Sequence, residues 1–144
     1  MMDKRMSRLD LILDSVPIAQ QAVSFEVHDY TIISWGSTKG PIIDAQSMLK
    51  KEGIDIGFVQ IKLLHPFPTE YVKSLLKDAK VLIDIEANYS GQFGKIFKQN
   101  ITREIDYHIL KYTGRGMTST EIYDSLKKII ENKAEKREIL SHGA

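Results

Sequence analysis

The stretch Tyr30-Thr31-Ile32-Ile33-Ser34-Trp35-Gly36-Ser37-Thr38-Lys39-Gly40-Pro41 sets the pattern for the rest of the chain. Its first half is β-branched and aromatic, the composition of a buried strand. Gly36 and Gly40 interrupt that strand, and Pro41 suits the first turn of a helix because the N–H it lacks would be unsatisfied there. Ile42, Ile43, Ala45, Met48 and Leu49 then recur at helical spacing, and Gly53 fits the C-terminal end. Strand, glycine-rich loop and amphipathic helix, in that order, form the opening unit of an α/β fold.

The unit repeats downstream. Residues 56–62 read as a strand cut off by Pro66 and Pro68. Thr69 is placed to cap a helix whose inner face is Tyr71, Val72, Leu75 and Leu76. Residues 81–85 (Val-Leu-Ile-Asp-Ile) are a short apolar run of the kind found inside a parallel sheet. A loop over 86–91 leads to a helix with Phe93, Ile96, Phe97 and Ile101 turned inward. Residues 107–112 read as a further strand. Thr118-Ser119-Thr120-Glu121 is a capping box that opens the last helix, with Ile122, Leu126, Ile129 and Ile130 on its apolar face.

Upstream, residues 22–27 alternate apolar and polar, the period of a half-buried or edge strand. Met6, Leu9, Ile12 and Leu13 suit a first helix over 3–14, which Pro17 ends. Strands joined by helices of this length imply a mainly parallel sheet covered on both faces. The expected architecture is therefore a three-layer α/β/α domain over 22–132. A helix and connector over 1–21 precede it, and a charged tail over 133–144 follows.

A chain of 144 residues is the size of one ordinary domain. It has no cysteine, which removes disulfides, thiolate zinc and cysteine-ligated iron–sulfur clusters. A formal charge of +1 gives no global attraction to nucleic acid or to an anionic membrane. The apolar run after the charged start is broken by Asp10 and Asp14, unlike a secretory or spanning segment, so the chain reads as cytoplasmic. His28, His65, His108 and His142 show no metal-ligand spacing.

Ligands of open α/β sheets bind beyond the carboxyl ends of the strands, so four loops matter. Gly36, Ser37, Thr38, Lys39 and Gly40 form either a tight turn with a hydroxyl cap or an anion cradle at a helix N-terminus. The spacing matches no nucleotide-binding fingerprint. His65, between Leu64 and Pro66, is either structural or an acid–base group. Glu86, Asn88, Gly91 and Gln92 mark the most distinctive loop, read equally well as a scaffold or as an interface. Arg115, between Gly114 and Gly116, could grip a phosphate or carboxylate, or sit in a surface loop. These loops contain no nucleophile–base pair, no paired carboxylates with evident geometry and no metal-ligand cluster. On chemistry alone the chain is a binding or assembly domain with no catalytic residue of its own.

The run from Ile32 to Gly40, the Leu64-x-Pro66-Phe67-Pro68 element, Glu86-x-Asn88-x-x-Gly91-Gln92 and Gly114-Arg115-Gly116 occur in order. Together they resemble the C-terminal domain of 2-oxoacid:ferredoxin oxidoreductase α subunits, the family of pyruvate and 2-oxoglutarate synthases. The resemblance implies a transketolase C-terminal-like fold, a five-stranded mixed sheet whose first strand is antiparallel. It implies a parent enzyme that decarboxylates 2-oxoacids on thiamine diphosphate with Mg, passes electrons through iron–sulfur clusters to ferredoxin, and forms acyl-CoA. The cofactors would lie outside this chain, which would not be active alone. Its partners would be the remaining α-subunit domains and the β subunit, with ferredoxin reached indirectly, and a homodimer is compatible with this. Trp35, Tyr89, Phe93 and Met117 are the expected interface residues. The alternative is a stand-alone module binding CoA or a nucleotide phosphate through Gly36–Gly40 and Arg115.

Overall fold

The computed structural model describes residues 14–35, 38–64, 66–87, 91–111 and 116–140. Helix α1 (Ile18–Gln21) leads into β1 (Ala22–Phe25), β2 (Tyr30–Trp35), α2 (Lys39–Lys50) and β3 (Gly57–Ile61). These are followed by α3 (Thr69–Leu76), β4 (Val81–Glu86), α4 (Gln92–Asn100), β5 (Tyr107–Lys111), α5 (Ser119–Ile130) and β6 (Arg137–Leu140). One sheet holds all six strands in the order β1-β3-β2-β4-β5-β6. Every neighbouring pair is parallel except β1 and β3, where Ala22 lies opposite Ile61 and Phe25 opposite Phe58.

Alternation along each strand builds two cores, one per face. On β2, Ile32 enters the core shared with α2 and α5, where Ile42, Ala45, Leu49, Ile122, Leu126 and Ile129 are buried. Its neighbour Ile33 enters the opposite core with Val72 and Leu76 of α3 and Phe93 and Phe97 of α4. On β4, Ile83 and Ile85 join the first core and Leu82 the second. At these positions the central strands bury apolar side chains on both faces, as strands covered by two helical layers do. No helix among the described residues is long and apolar enough to cross a membrane.

The mixed sheet with an antiparallel first strand agrees with expectation, and a sixth strand is added to the five. It arises from the stretch read as a charged tail: Arg137 pairs with His108 and Leu140 with Lys111. A segment opening Arg-Glu carries little strand signal, and it is the free edge of β5 that gives its backbone groups partners. Thr69 is also corrected. It is the first helical residue, behind Pro68, and caps no amide; its hydroxyl instead points to Phe67 O at 3.5 Å. The expected helix over 3–14 lies outside the described residues apart from Asp14.

The turn from β1 to β2 crosses closely over β3. A Cβ at Gly57 would stand 2.6 Å from Thr31 Oγ1 and 2.8 Å from Glu26 O and His28 N, so only glycine fits. Gly53, with φ +79°, closes α2 in the left-handed region. The central position of β2 sets the cost of damaging it. Ile33→Ala is expected to lower stability by about 2–5 kcal/mol, read as a shift of the urea midpoint at unchanged slope.

Candidate functional site

Asp84 and Glu86 stand two residues apart on β4 and therefore project to the same face, beneath α4. Both are buried. Glu86 Oε1 accepts the Phe93 N–H at 2.6 Å, and Oε2 accepts the Gly94 N–H at 3.0 Å. Those amides lie in the first turn of α4, where no intrahelical partner exists. The N-cap residue, Gly91, has no side chain to offer and sits in the left-handed region with φ 67° and ψ 44°. A carboxylate from the neighbouring strand thus does the work of a local cap, and its charge faces the positive end of the helix.

The spacing from Glu86 to Gly94 follows from this arrangement. Gly91 lets the chain turn sharply enough for the helix to start over the strand end. Gly94 lets the helix come close, since a Cβ there would be 2.9 Å from Asp84 Oδ2 and 3.1 Å from His108 Cε1. His108 comes from β5, where it pairs in register with Asp84. Its Nδ1 lies 2.9 Å from Asp84 Oδ2, the geometry of an imidazole N–H donated to a carboxylate. One ligand-type atom from each of Asp84, Glu86 and His108 falls within 4.8 Å of the others. The alternation of β4 would have paired the two carboxylates from sequence. Only the β4–β5 register brings in His108.

A second polar cluster closes β5. Lys111, buried, donates from Nζ to Glu121 Oε1 at 2.7 Å and to Gly116 O at 3.2 Å. Glu121 also completes the expected capping box: its amide donates to Thr118 Oγ1, and its Oε1 accepts the Thr118 N–H, both at 3.1 Å. Burial pushes the Glu121 carboxyl up, but hydrogen bonds from Lys111 and Thr118 outweigh it and hold the group below its ordinary 4.5. At the end of β2, Ser34 Oγ donates to Ile85 O at 2.8 Å, so the Thr38 hydroxyl, 2.5 Å away, donates to Ser34. Thr38 is thereby tied to the sheet and does not cap α2.

The anticipated site residues separate accordingly. Glu86 and Thr38 serve the domain's own architecture, Gly91 shapes a turn, and Gln92 and Gly40 are exposed at the starts of α4 and α2. Gly36, Ser37, His65, Asn88 and Arg115 lie outside the described residues, as does Tyr89. Among the expected interface residues, Trp35 is 47% exposed, whereas Phe93 and Met117 are 3% and 6% exposed. Those two are corrected to core positions: Phe93 packs near Phe97, and Met117 lies in the core beneath α2 and α5.

The fold is of the transketolase C-terminal-like kind, and sequence comparison gives the family. The family model for "pyruvate:ferredoxin oxidoreductase core domain II" matches residues 28–122, and the chain belongs to that family. The α subunit of a 2-oxoacid:ferredoxin oxidoreductase from Saccharolobus solfataricus is 41% identical over 113 residues, 78% of this chain and 18% of that protein. The chain thus spans about a fifth of that relative's length. Among solved structures, the 2-oxoglutarate:ferredoxin oxidoreductase of Magnetococcus marinus, with 2-oxoglutarate, coenzyme A and succinyl-CoA bound, aligns at TM-score 0.75 and 28% identity, covering 90% of this chain and 23% of that one. The α chain of a probable 2-oxoacid ferredoxin oxidoreductase from Thermoplasma acidophilum is 43% identical at TM-score 0.53, covering 78% of this chain and 98% of that one. A split-gene transketolase, at 19% identity and TM-score 0.61 with 80% of this chain and 43% of that one covered, shares the fold.

Glu86→Ala leaves two first-turn amides without their acceptor, and a cost of about 2–4 kcal/mol is expected in urea unfolding, with Glu86→Gln recovering part of it. Glu121 has a pH signature as well. Its carboxyl is held below 4.5 in the fold, so its contribution is present above the ordinary value and lost as pH falls through the lowered one. Glu121→Gln should therefore unfold at lower urea than wild type at pH 7, with the gap narrowing on acidification below pH 4.5.

Proposed function

We propose that this chain is a non-catalytic association domain, or a small α-type subunit, of an enzyme that oxidatively decarboxylates 2-oxoacids to acyl-CoA and reduces ferredoxin. The observation that carries this reading is the use made of the carboxyl-end polar groups. Glu86 holds the α4 amides, Lys111 is paired with Glu121, and Thr38 is bonded to Ser34. In an open α/β sheet these are the positions that would meet a substrate. Here each stabilises the domain that carries it.

The cofactors of such an enzyme belong, on this reading, to its other domains and chains. Zero cysteines in 144 residues do not fit a cysteine-ligated iron–sulfur cluster. The Asp84–Glu86–His108 cluster does not fit a magnesium diphosphate either. Both Glu86 oxygens accept helix amides, and the backbone of α4 at Gly94 packs directly over the cluster. The partners are the remaining α-subunit domains and the β subunit, with the exposed helix starts at Gly40 and Gln92 on the side offered to them.

Reconstitution tests the reading. The chain alone should reduce no ferredoxin when given a 2-oxoacid and CoA, and adding it to the remaining polypeptides of its oxidoreductase should raise their turnover. Turnover by the chain alone, or complete indifference of the others to its presence, would overturn the proposal.

A further inference from the structure

We infer that the carboxyl end of the sheet, around Trp35 and Ile18, is the face on which this domain docks against the remaining α-subunit domains of its oxidoreductase, an assignment that rests on the association reading above. Ile18 and Trp35, 59% and 47% exposed, are the large hydrophobic residues left open to solvent among the described residues. The sheet register gathers them at one end. Trp35 closes β2 level with Ile61 of β3, and Ile61 lies opposite Ala22, the residue that follows α1. Two strand spacings, about 10 Å, separate β2 from β1. Leu63 and Leu64, half-buried, follow directly from the end of β3, and the Leu63 N–H donates to Gln21 O at the end of α1. The apolar exposure therefore spans three adjacent strands.

The other end of the sheet is mixed: Phe25, Ile43 and Ile54 there are only partly exposed and lie beside Glu26, Lys50 and Asp55. Around the start of β2 the surface is lined by Val27, His28, Asp29, Tyr30, Asp55 and Asp78, and Lys80 precedes β4 beside Asp29 at 3.8 Å. A domain exposed equally on all sides has no reason to place both of its open hydrophobic residues at one end. Indole is a rigid apolar surface with low ordering entropy, and Trp is enriched among residues that anchor interfaces.

Chain length identifies the occupant. In the S. solfataricus α subunit the matched segment is 18% of the polypeptide, so most of that subunit lies beyond this domain. The T. acidophilum α chain is covered over 98% of its length, so a polypeptide of about domain size also stands as an α chain. On the association reading the domain meets that remainder through a packed surface. Such surfaces bury at least about 1,000 Å² and concentrate aromatic residues at their centre. The complementary feature on the remaining domains is an apolar pocket that receives the Trp35 indole.

The chain's single tryptophan makes this face observable. The full chain, carrying 5-fluorotryptophan at position 35, is mixed with the unlabelled remaining polypeptides of its oxidoreductase and followed by fluorine NMR. The one resonance should shift or broaden on mixing. Trp35→Ala should weaken association at least about tenfold, with Trp35→Phe recovering part of it. Lys80→Ala, at the opposite end, should bind as wild type. Association at full strength with an unmoved resonance and an unaffected Trp35→Ala variant would overturn this face while leaving the association reading intact. A chain folded by circular dichroism that binds nothing would overturn both. A resonance that moves with concentration of the chain alone would assign the face to a second copy and overturn the occupant named here.

Discussion

The carboxylate of Glu86, closing on the Phe93 and Gly94 amides, is the interaction around which the carboxyl end of the domain is organised. A buried carboxylate is costly unless its oxygens are satisfied, and unpartnered first-turn amides are costly for the same reason. Each removes the other's penalty, and the helix dipole adds to the match. The geometry then propagates. α4 can start only where Glu86 reaches it, so Gly91 must turn in the left-handed region and Gly94 must carry no side chain. Once α4 is seated, Phe93 and Phe97 are aimed into the second core, and Asp84 is closed in against His108.

The same economy appears at the other strand ends. Ser34 and Thr38 connect the end of β2 to the β4 backbone at Ile85, and Lys111 connects β5 to the capping box of α5. In many α/β proteins this rim carries ligand chemistry. In this member of the oxidoreductase family the described polar groups of the rim are bonded within the domain, with an indole and an isoleucine left exposed. On the association reading, polar groups that hold helices to strand ends fix the shape of the surface presented.

Much of the fold was legible in the sequence because its signals are local. β-branched runs specified β2 and β4, 3.6-residue periodicity specified α2 and α5, and Thr118 with Glu121 formed the capping box that their spacing implies. Thr69 misled because a hydroxyl beside a helix start looks the same whether it caps an amide or points back toward a carbonyl. β6 was missed because it becomes a strand only against the free edge of β5, a partner about thirty residues earlier. Phe93 and Met117 looked like interface residues by type. The depth of the two cores, which no local pattern reveals, puts them inside.

At the candidate site the division is sharper. The loop from Glu86 to Gln92 is conspicuous in the sequence, and the alternation of β4 places Asp84 and Glu86 on one face. Nothing local ties His108 to Asp84, since the two are 24 residues apart and meet through strand register. Nor does any local pattern show that Glu86 would be consumed in seating a helix, because that depends on where α4 lies against the sheet. Residue chemistry and periodicity established an α/β binding or assembly domain, since composition and spacing act over a few neighbours, and the ordered loop motifs added the resemblance to an oxidoreductase family. Which polar groups face inward, and which apolar ones stay exposed, was decided only when distant strands were packed into one sheet.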